Sequence, residues 1–388
     1  MTNLRAMAAL LILCAAPAAA QPKEIIGYFP SWKWVARNNL VTPAKLPYEK
    51  LTIINYAFFR PLPDGSIAGK DSTGDALYLR GAADTTLVPL AHRHGVRVML
   101  SLGGWEDSGD FPEVASTAPL RAAFAHACTD AVRTYGFDGI DIDWEFPGYT
   151  AHNGTPADRD NCTALFRAVK DSLAAEEKTS GRHLLLSAAL PAGGPNLAGF
   201  DVAALGGLLD MFNIMTYDFY GPWDSLANHN APLYPSQGAD TTRCVDAAFR
   251  LFSTACGIPP ARINLGVPFY GHTFTHCTAL NSRHTGSDTV HFSTKGAFYY
   301  DIAAVMDRFI RRWDDRAQVP YLVSKEWDML VSYDDEESVR AKGRYIVQHD
   351  ARGAIIWELT GDYMPDGMTP LLNALVGALR SGKTELSR

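Results

Sequence analysis

The sequence predicts an α/β fold: a closed (β/α)8 TIM barrel with a small α+β insertion domain between strand 7 and strand 8. Short runs of β-branched and aromatic residues alternate with longer amphipathic segments, which is typical of repeated βα units around a parallel sheet. Eight such runs occur along the 388 residues, the number of strands that closes this kind of barrel. The alternation is interrupted only after the seventh run, by residues 272–352.

The eight runs are apolar along most of their length, as expected for strands that helices cover outside and packed side chains cover inside. They are Glu24–Phe29, Leu51–Phe59, Arg97–Leu102, Gly139–Glu145, Leu184–Leu190, Met211–Tyr217, Ile263–Phe269 and Ala354–Leu359. Between them, Ala118–Tyr135 and Arg159–Glu177 place apolar residues three and four positions apart, which predicts helices. Gly136 is the expected C-cap of the first helix.

The chain divides into three parts. Residues 272–352 are more than one crossover helix needs, so we expect a small inserted domain there, and the barrel then consists of residues 21–271 and 353–380. Residues 1–20 contain a basic residue, an apolar stretch and small residues before Gln21, the three parts of a secretory signal peptide. We therefore expect a secreted protein, extracellular or, as the alternative, periplasmic.

Composition excludes several partners. The chain carries 35 Lys and Arg against 42 Asp and Glu, a formal net charge of −7, and nucleic acid is not expected because phosphate binding needs a basic surface. After the N-terminal segment, no stretch approaches the roughly 18 apolar residues of a membrane span. No Cys-x-x-Cys spacing occurs, and we expect no metal and no cofactor. We expect a monomer.

Five cysteines follow the export signal: Cys128, Cys162, Cys244, Cys256 and Cys277. An odd number leaves at least one thiol unpaired. Cys128 and Cys162 belong to consecutive predicted helices, so a disulfide between them is one expectation and buried free thiols are the other. If one helix carries Cys244 and Cys256, they lie about 18 Å apart at 1.5 Å per residue, which is too far to bond.

The densest chemical signal lies in the fourth strand, where Asp141, Asp143 and Glu145 alternate at a period of two. All three therefore project to one side of the strand, and Trp144 projects to the other as a packing residue. Crowding and burial raise the pKa of at least one of these acids, and a carboxyl group that stays protonated near neutral pH can act as a general acid. The alternatives are a buried acid network that only fixes the barrel, and a divalent-cation site.

With Asp138, the acidic strand completes the pattern DxxDxDxE, and on it the sequence resembles glycoside hydrolase family 18, the chitinase family. Residues 101–104 (Ser-Leu-Gly-Gly) resemble the family's SxGG, and residues 215–218 (Met-Thr-Tyr-Asp) resemble its MxYD. Residues 266–271 on the seventh strand and Trp357 on the eighth stand where the family has them. The resemblance covers nearly the whole chain after the export signal.

The resemblance implies a secreted chitinase that cleaves β-1,4 bonds between N-acetylglucosamine residues of chitin or chitooligosaccharides by a retaining, substrate-assisted mechanism. Residues 272–352 are similar to the α+β insertion domain of the family's deep-cleft chitinases, which walls one side of the substrate groove. The enzymatic alternatives on this fold are an endo-β-N-acetylglucosaminidase and a peptidoglycan hydrolase. A non-catalytic chitin-binding lectin is the other alternative, although such proteins typically lack the acid at the Glu145 position.

By resemblance, Glu145 is the general acid, and the nucleophile is the substrate's own 2-acetamido oxygen. Asp143 is expected to bind the acetamido N–H and to share its proton with Asp141. Tyr217 is expected to donate its O–H to the acetamido oxygen and to aim it at the anomeric carbon. Asp138 is expected to be structural.

By the same resemblance, the other site residues bind the sugars or support the acids. Trp357 is the expected floor under the reacting sugar, and Trp105 and Trp223 are expected to stack sugars on the leaving-group side. His272 stands where these chitinases usually have Arg, so it either contacts a sugar with a shorter reach or faces solvent in a loop. The predicted substrate-binding set is Tyr28, Phe58, Ser101, Gly104, Trp105, Phe146, Met215, Asp218, Trp223, Tyr270, His272 and Trp357.

Overall fold

A closed barrel forms the centre of the molecule. The computed structural model of the chain describes residues 22–82, 84–292 and 296–385, and the expected export signal at 1–20 lies outside them. Within this part of the chain, eight parallel strands each pair with the next, and the first pairs with the last. In chain order they are β1 Glu24–Pro30, β2 Ile53–Pro61, β3 Arg97–Gly103, β4 Gly139–Asp143, β5 Leu185–Pro191, β6 Met211–Met215, β7 Ile263–Pro268 and β8 Gly353–Trp357. The predicted (β/α)8 barrel is confirmed.

Four strands end before the predicted residue. β4 ends at Asp143, β6 at Met215 and β8 at Trp357, each two residues early, and β7 ends one residue early. The reason is visible at Glu145, whose backbone N–H donates to the Ser108 hydroxyl at 2.8 Å instead of to a neighbouring strand. The residues just beyond the strands therefore belong to the mouth of the barrel and not to the sheet.

Helices cover the outside of the barrel. The predicted helix Ala118–Tyr135 is confirmed, with Thr117 accepting the Leu120 N–H at its start and Gly136 closing it at a left-handed φ of 79°. The helices are Ser72–Leu79, Leu87–Arg93, Phe111–Ser116, Ala118–Tyr135, Asp158–Ser180, Gly194–Leu197, Val202–Leu205, Val245–Arg250, Tyr299–Ala304, Glu336–Gln348 and Pro370–Glu385. Over the described residues, none of them combines the length and the apolar character needed to cross a bilayer.

A second, antiparallel sheet follows β7, and we call it the insertion sheet. In spatial order its strands are Ala297–Phe298, Tyr270–Thr275, Met329–Ser332, Val319–Ser324 and Ile310–Asp314. Because Tyr270 follows the carboxyl end of β7 after one residue, this sheet stands at the mouth of the barrel. It fits the expected α+β insertion, and the limits 272–352 stay a prediction. Glu336–Gln348 leads back towards β8 and packs against Pro370–Glu385.

The cysteines in the described residues are free thiols. The expected disulfide between Cys128 and Cys162 is therefore not formed, and the alternative of buried thiols is correct for this pair. Burial raises the pKa of both thiols, because an apolar environment disfavours the thiolate, and such cysteines are chemically inert.

Candidate active site

The carboxyl ends of the barrel strands carry the residues that the sequence singles out, and in a parallel barrel these ends meet at one mouth. Asp141 is fully buried inside the barrel, Asp143 is 4% exposed, and Glu145 is partly exposed beyond the strand. The acids therefore form a series that leads from the barrel interior to the mouth. Trp144, between the last two, is fully buried on the other side of the strand and stacks on Phe111 at a centroid distance of 5.2 Å.

Asp141 accepts four hydrogen bonds from four different strands. Tyr28 on β1 and Ser101 on β3 each donate to Oδ2 at 2.8 Å. Ser187 on β5 and Asn213 on β6 donate to Oδ1 at 2.5 and 3.0 Å. Burial raises the pKa of Asp141, and these four bonds oppose that rise. The donors from β5 and β6 were missed by the sequence analysis.

Asp143 and Glu145 are the acids whose protonation the site changes most. Burial, followed by the charges of Glu145 and Asp141, raises the pKa of Asp143 well above its ordinary value. Burial, followed by the charge of Asp218, raises the pKa of Glu145 to about 8. A carboxyl group with this pKa is protonated at neutral pH and can donate a proton. Oδ1 of Asp143 is buried and has no hydrogen-bond partner among the described residues, and its proton sharing with Asp141 stays a prediction.

Two adjacent glycines explain why the end of β3 lies close to this acid series. Gly103 has a φ of 104°, and a Cβ there would lie 2.3 Å from the Asp143 carbonyl oxygen. Gly104 has a φ of 81°, and a Cβ there would lie 2.5 Å from the Phe58 ring. Only glycine combines this backbone conformation with such close contacts.

Two polar residues that were missed by the sequence analysis hold the backbone of Glu145. The Ser108 hydroxyl donates to the Gly104 carbonyl at 2.9 Å and accepts the Glu145 N–H at 2.8 Å. His152 Nδ1 lies 2.6 Å from the Glu145 carbonyl oxygen, which only accepts, so this nitrogen carries the proton. His152 also contacts the Trp105 ring, with centroids 4.8 Å apart.

A second cluster forms after β6. Tyr217 and Met215 are partly exposed at the mouth, and the Asp218 side chain is 46% exposed. The Tyr270 hydroxyl donates to Asp218 Oδ1 at 2.6 Å, and His272 Nε2 lies 2.7 Å from the same oxygen. Burial, with the nearby Asp143 charge, raises the pKa of the Tyr217 phenol well above its ordinary value, so its O–H is retained as a donor.

His272 is not a loop residue facing solvent. It lies on the strand Tyr270–Thr275 of the insertion sheet and is 7% exposed. The loop alternative is wrong because the insertion sheet begins at Tyr270, two residues earlier than the predicted insertion.

Aromatic side chains line the mouth. The Trp357 ring stacks on Phe58 with centroids 5.7 Å apart and an interplanar angle of 18°, and it contacts Tyr28 at 5.6 Å. Trp32, which was not among the predicted site residues, extends this group through Phe58 at 6.2 Å. Three non-proline cis peptide bonds adjoin site residues: Ala57–Phe58, Glu145–Phe146 and Trp357–Glu358.

Trp105 and Trp223, the two other tryptophans predicted to stack sugars, are the exposed ones. Trp105 is 52% exposed and lies beside Phe146 at 6.4 Å, on the side of β3 and β4. Trp223 is 63% exposed and lies beside His272 at 5.1 Å, on the side of the insertion sheet. The three tryptophans therefore contact different parts of the mouth and do not form one cluster.

Asp138 lies at the other end of β4. His92 Nε2 and Arg182 Nη2 each lie 2.7 Å from its carboxylate, and the Val98 N–H donates to it at 2.8 Å. Burial favours a higher pKa, but these contacts together hold the pKa of Asp138 below its ordinary value. The side chain is therefore ionised and tied to the barrel base, away from the mouth.

Residues 24–362 match the family model described as Glycosyl hydrolases family 18. The chain belongs to this family. The match begins at the first residue of β1 and ends shortly after β8, so it includes all eight barrel strands and the insertion sheet. The family resemblance read from the acidic strand is confirmed.

Individual family members are similar along most of this chain. It is 34% identical to Chitinase A1 of Niallia circulans over 401 residues, which cover 89% of this chain and 57% of that protein. The chain thus spans little more than half the length of this relative. Its fold matches the Ostrinia furnacalis Group IV chitinase in complex with allosamidin, with a TM-score of 0.83 at 27% identity over 93% of this chain and 99% of that one.

A family 18 N-acetylglucosaminidase from Paenibacillus barengoltzii is also similar in structure. Its TM-score is 0.78 at 30% identity, and the match covers 92% of this chain and 99% of that one. The family 18 fold is therefore shared with a protein that is named an N-acetylglucosaminidase and not a chitinase.

Proposed function

We propose that this protein is a secreted chitinase that hydrolyses β-1,4 bonds between N-acetylglucosamine residues of chitin and chitooligosaccharides. The observation that carries the proposal is the series of acids ending in Glu145, whose pKa of about 8 keeps it protonated at neutral pH. A general acid must hold its proton until the glycosidic bond breaks. The similarity to proteins named as chitinases supports the substrate class.

The reaction proceeds in two steps with retention of configuration. Glu145 gives its proton to the glycosidic oxygen, and the leaving sugar departs with the bonding electron pair. The carbonyl oxygen of the 2-acetamido group bonds to the anomeric carbon and forms a cyclic oxazolinium ion. The Glu145 carboxylate then takes a proton from water as the water oxygen attacks the anomeric carbon and opens the ring.

Asp143 and Tyr217 align the acetamido group for this attack. Asp143 Oδ1 is an acceptor without a partner in the described residues, and it receives the acetamido N–H. Tyr217 keeps its phenolic proton and donates a hydrogen bond to the acetamido oxygen. Asp143 also stabilises the positive charge that develops on the ring being formed, and it shares its proton with Asp141, which four donors hold in place. Because these groups are held in place before the reaction, less orientational entropy is lost on reaching the transition state, and the activation barrier is lower.

Aromatic rings give the neutral substrate its binding surface. A β-1,4-linked sugar chain presents apolar ring faces, which pack well on indole rings. Trp357 stacks the reacting sugar, and the exposed Trp105 and Trp223 stack sugars on the leaving-group side. Exposed tryptophans beside a cleft are typical of binding sites.

An N-acetylglucosaminidase is the second candidate, favoured by the similarity to the Paenibacillus barengoltzii enzyme. The exposed tryptophans and the insertion sheet extend the site beyond one sugar, which favours a polymer. Endo-β-N-acetylglucosaminidase and peptidoglycan hydrolase activities are the further alternatives, and a lectin is disfavoured by the protonated Glu145.

A product time course on chitin and on (GlcNAc)6, compared with an N-glycan and peptidoglycan, tests the proposal. We expect chitooligosaccharide products from the first two only, and NMR of fresh product should show the β-anomer first. Release of monosaccharide alone would identify an N-acetylglucosaminidase, and an initial α-anomer would exclude the acetamido nucleophile. Sequencing the N-terminus of the exported protein tests the expected cleavage before Gln21.

A further inference from the structure

Asp218 follows β6, yet it is held by the insertion sheet. Tyr270 and His272, both on the strand Tyr270–Thr275 of that sheet, contact its Oδ1 at 2.6 and 2.7 Å. The Asp218 N–H donates to Asn230 Oδ1 at 2.8 Å, and the Asn230 N–H donates to Ser332 Oγ on the adjacent strand at 2.6 Å. Both the side chain and the backbone of Asp218 therefore depend on the insertion sheet.

The backbone conformation of Asp218 needs such support. Its φ is 56°, in the left-handed region that non-glycine residues rarely adopt. Conformations of this kind persist where the surrounding contacts fix them, and they concentrate at functional sites.

The position of Asp218 matters for the proton donor. Its negative charge is the second cause, after burial, of the raised pKa of Glu145. A displacement of the Asp218 carboxylate therefore changes the pKa of Glu145, the acid proposed to protonate the glycosidic oxygen.

His272 also supports a sugar platform. Its ring meets Trp223 edge to face, with centroids 5.1 Å apart and an interplanar angle of 80°, an arrangement that aromatic pairs favour. The imidazole is buried, whereas the indole is mostly exposed. The exposed platform thus rests on a side chain that is fixed in a strand.

We propose that His272 is a positioning residue that joins the insertion sheet to both Asp218 and Trp223, so that this sheet controls bond cleavage as well as the shape of the cleft. The imidazole suits both contacts, because Nε2–H donates to a carboxylate while the ring packs on an indole. This inference rests on the proposed function, since it describes how the same site is assembled.

Two substitutions in the full chain separate the two contacts. His272→Gln keeps an N–H donor for Asp218 but removes the ring beside Trp223, and His272→Phe keeps the ring but removes the donor. We measure kcat and KM on (GlcNAc)6 and on a chitobioside with a small fluorescent leaving group. Only the first substrate places sugars over Trp223.

We expect His272→Phe to lower kcat by about tenfold on both substrates, the typical effect of losing one hydrogen bond to a charged group. His272→Gln should lower kcat less, and it should raise KM for (GlcNAc)6 more than for the fluorogenic substrate. His276→Gln is the matched control, because this exposed histidine lies just beyond the same strand and contacts Asp328. His276→Gln should retain the wild-type kcat and KM on both substrates.

Equal losses in the two His272 variants, or changes confined to KM on both substrates, would overturn the inference. If the wild-type protein cleaves neither substrate, the proposed function fails, and nitrogen-15 NMR of the free protein then decides the role of His272. A protonated Nε2 whose shift changes in Asp218→Asn supports the contact, and an imidazole insensitive to that substitution contradicts it.

Discussion

The Tyr28 hydroxyl on β1 donates to Asp141 Oδ2 on β4 at 2.8 Å, which joins residues 113 positions apart inside the barrel. The interior of a (β/α)8 barrel is ordinarily filled by branched apolar side chains. Here one interior carboxyl group is surrounded by donors from four strands. The base of the candidate site is therefore fixed by the sheet itself and not by loops.

We expect Tyr28→Phe to lower the free energy of unfolding by about 1.5–3 kcal/mol, because a buried carboxylate loses one donor. Urea unfolding measures this change. Tyr135→Phe is the matched control, since its hydroxyl bonds the exposed Arg80 side chain, and it should cost about 0.5 kcal/mol. An effect of Tyr28→Phe no larger than that of the control would contradict the anchoring role.

Glu145→Gln should reduce turnover of (GlcNAc)6 by at least about 100-fold, because the amide cannot supply the proton. Binding measured by calorimetry should stay close to that of the wild type, since glutamine has nearly the same shape. Glu113→Gln, on an exposed position of Phe111–Ser116, serves as the control and should turn over normally. Unchanged turnover in Glu145→Gln would end the proposed mechanism.

The activity should fall as the pH rises through about 8, because the proposed mechanism needs the protonated form of Glu145 and its pKa is about 8. Asp218→Asn removes a negative charge that raises this pKa. The alkaline limb of kcat/KM should therefore move to lower pH in the variant, and full pH profiles of both proteins measure the shift. An alkaline limb that stays in place would show that Asp218 does not act on the proton donor.

Asp138→Asn should lower stability without lowering kcat per folded molecule, because Asp138 lies at the base of the barrel. Its folded pKa is below the ordinary value, so its contribution is fully present above the unfolded pKa of about 3.9 and is lost as the pH falls through the folded pKa. Unfolding of both proteins at pH 7 and near pH 3 checks this. The stability difference should shrink at the lower pH, and a constant difference would contradict the ionic role.

Trp105→Ala and Trp223→Ala should each raise KM for (GlcNAc)6 by about fivefold to thirtyfold, the usual effect of truncating a tryptophan that contributes about 1–2 kcal/mol to binding. Both should change KM less on a chitobioside with a small leaving group, which in the proposed binding mode has no sugar over these rings. Steady-state kinetics on the two substrates measure the difference. Equal effects on both substrates would place the rings elsewhere in the site.

The sequence predicts those parts of the site that leave a local pattern. Alternation at a period of two places the acids of β4 on one side of a strand. The SxGG resemblance of residues 101–104 likewise marks the end of β3. The close approach of Phe58, whose ring would lie 2.5 Å from a Cβ of Gly104, is a finding of the structure.

Contacts between distant parts of the chain leave no such pattern. Ser187 and Asn213 reach Asp141 from 46 and 72 positions away, and this pairing depends on the barrel register. The contact of His152 with the Glu145 carbonyl likewise depends on how the loop after β4 turns back. The roles of these residues therefore follow from the three-dimensional structure and not from a pattern in the sequence.

The free thiols have a consequence for how this protein can be handled. In the described residues no covalent cross-link joins one part of the chain to another, so the folded state rests on noncovalent contacts alone. A reducing agent finds no bond to break there, and an oxidising compartment is not required to form one. The protein can therefore reach the same fold when it is produced in a reducing cytoplasm, although we propose that it is naturally exported.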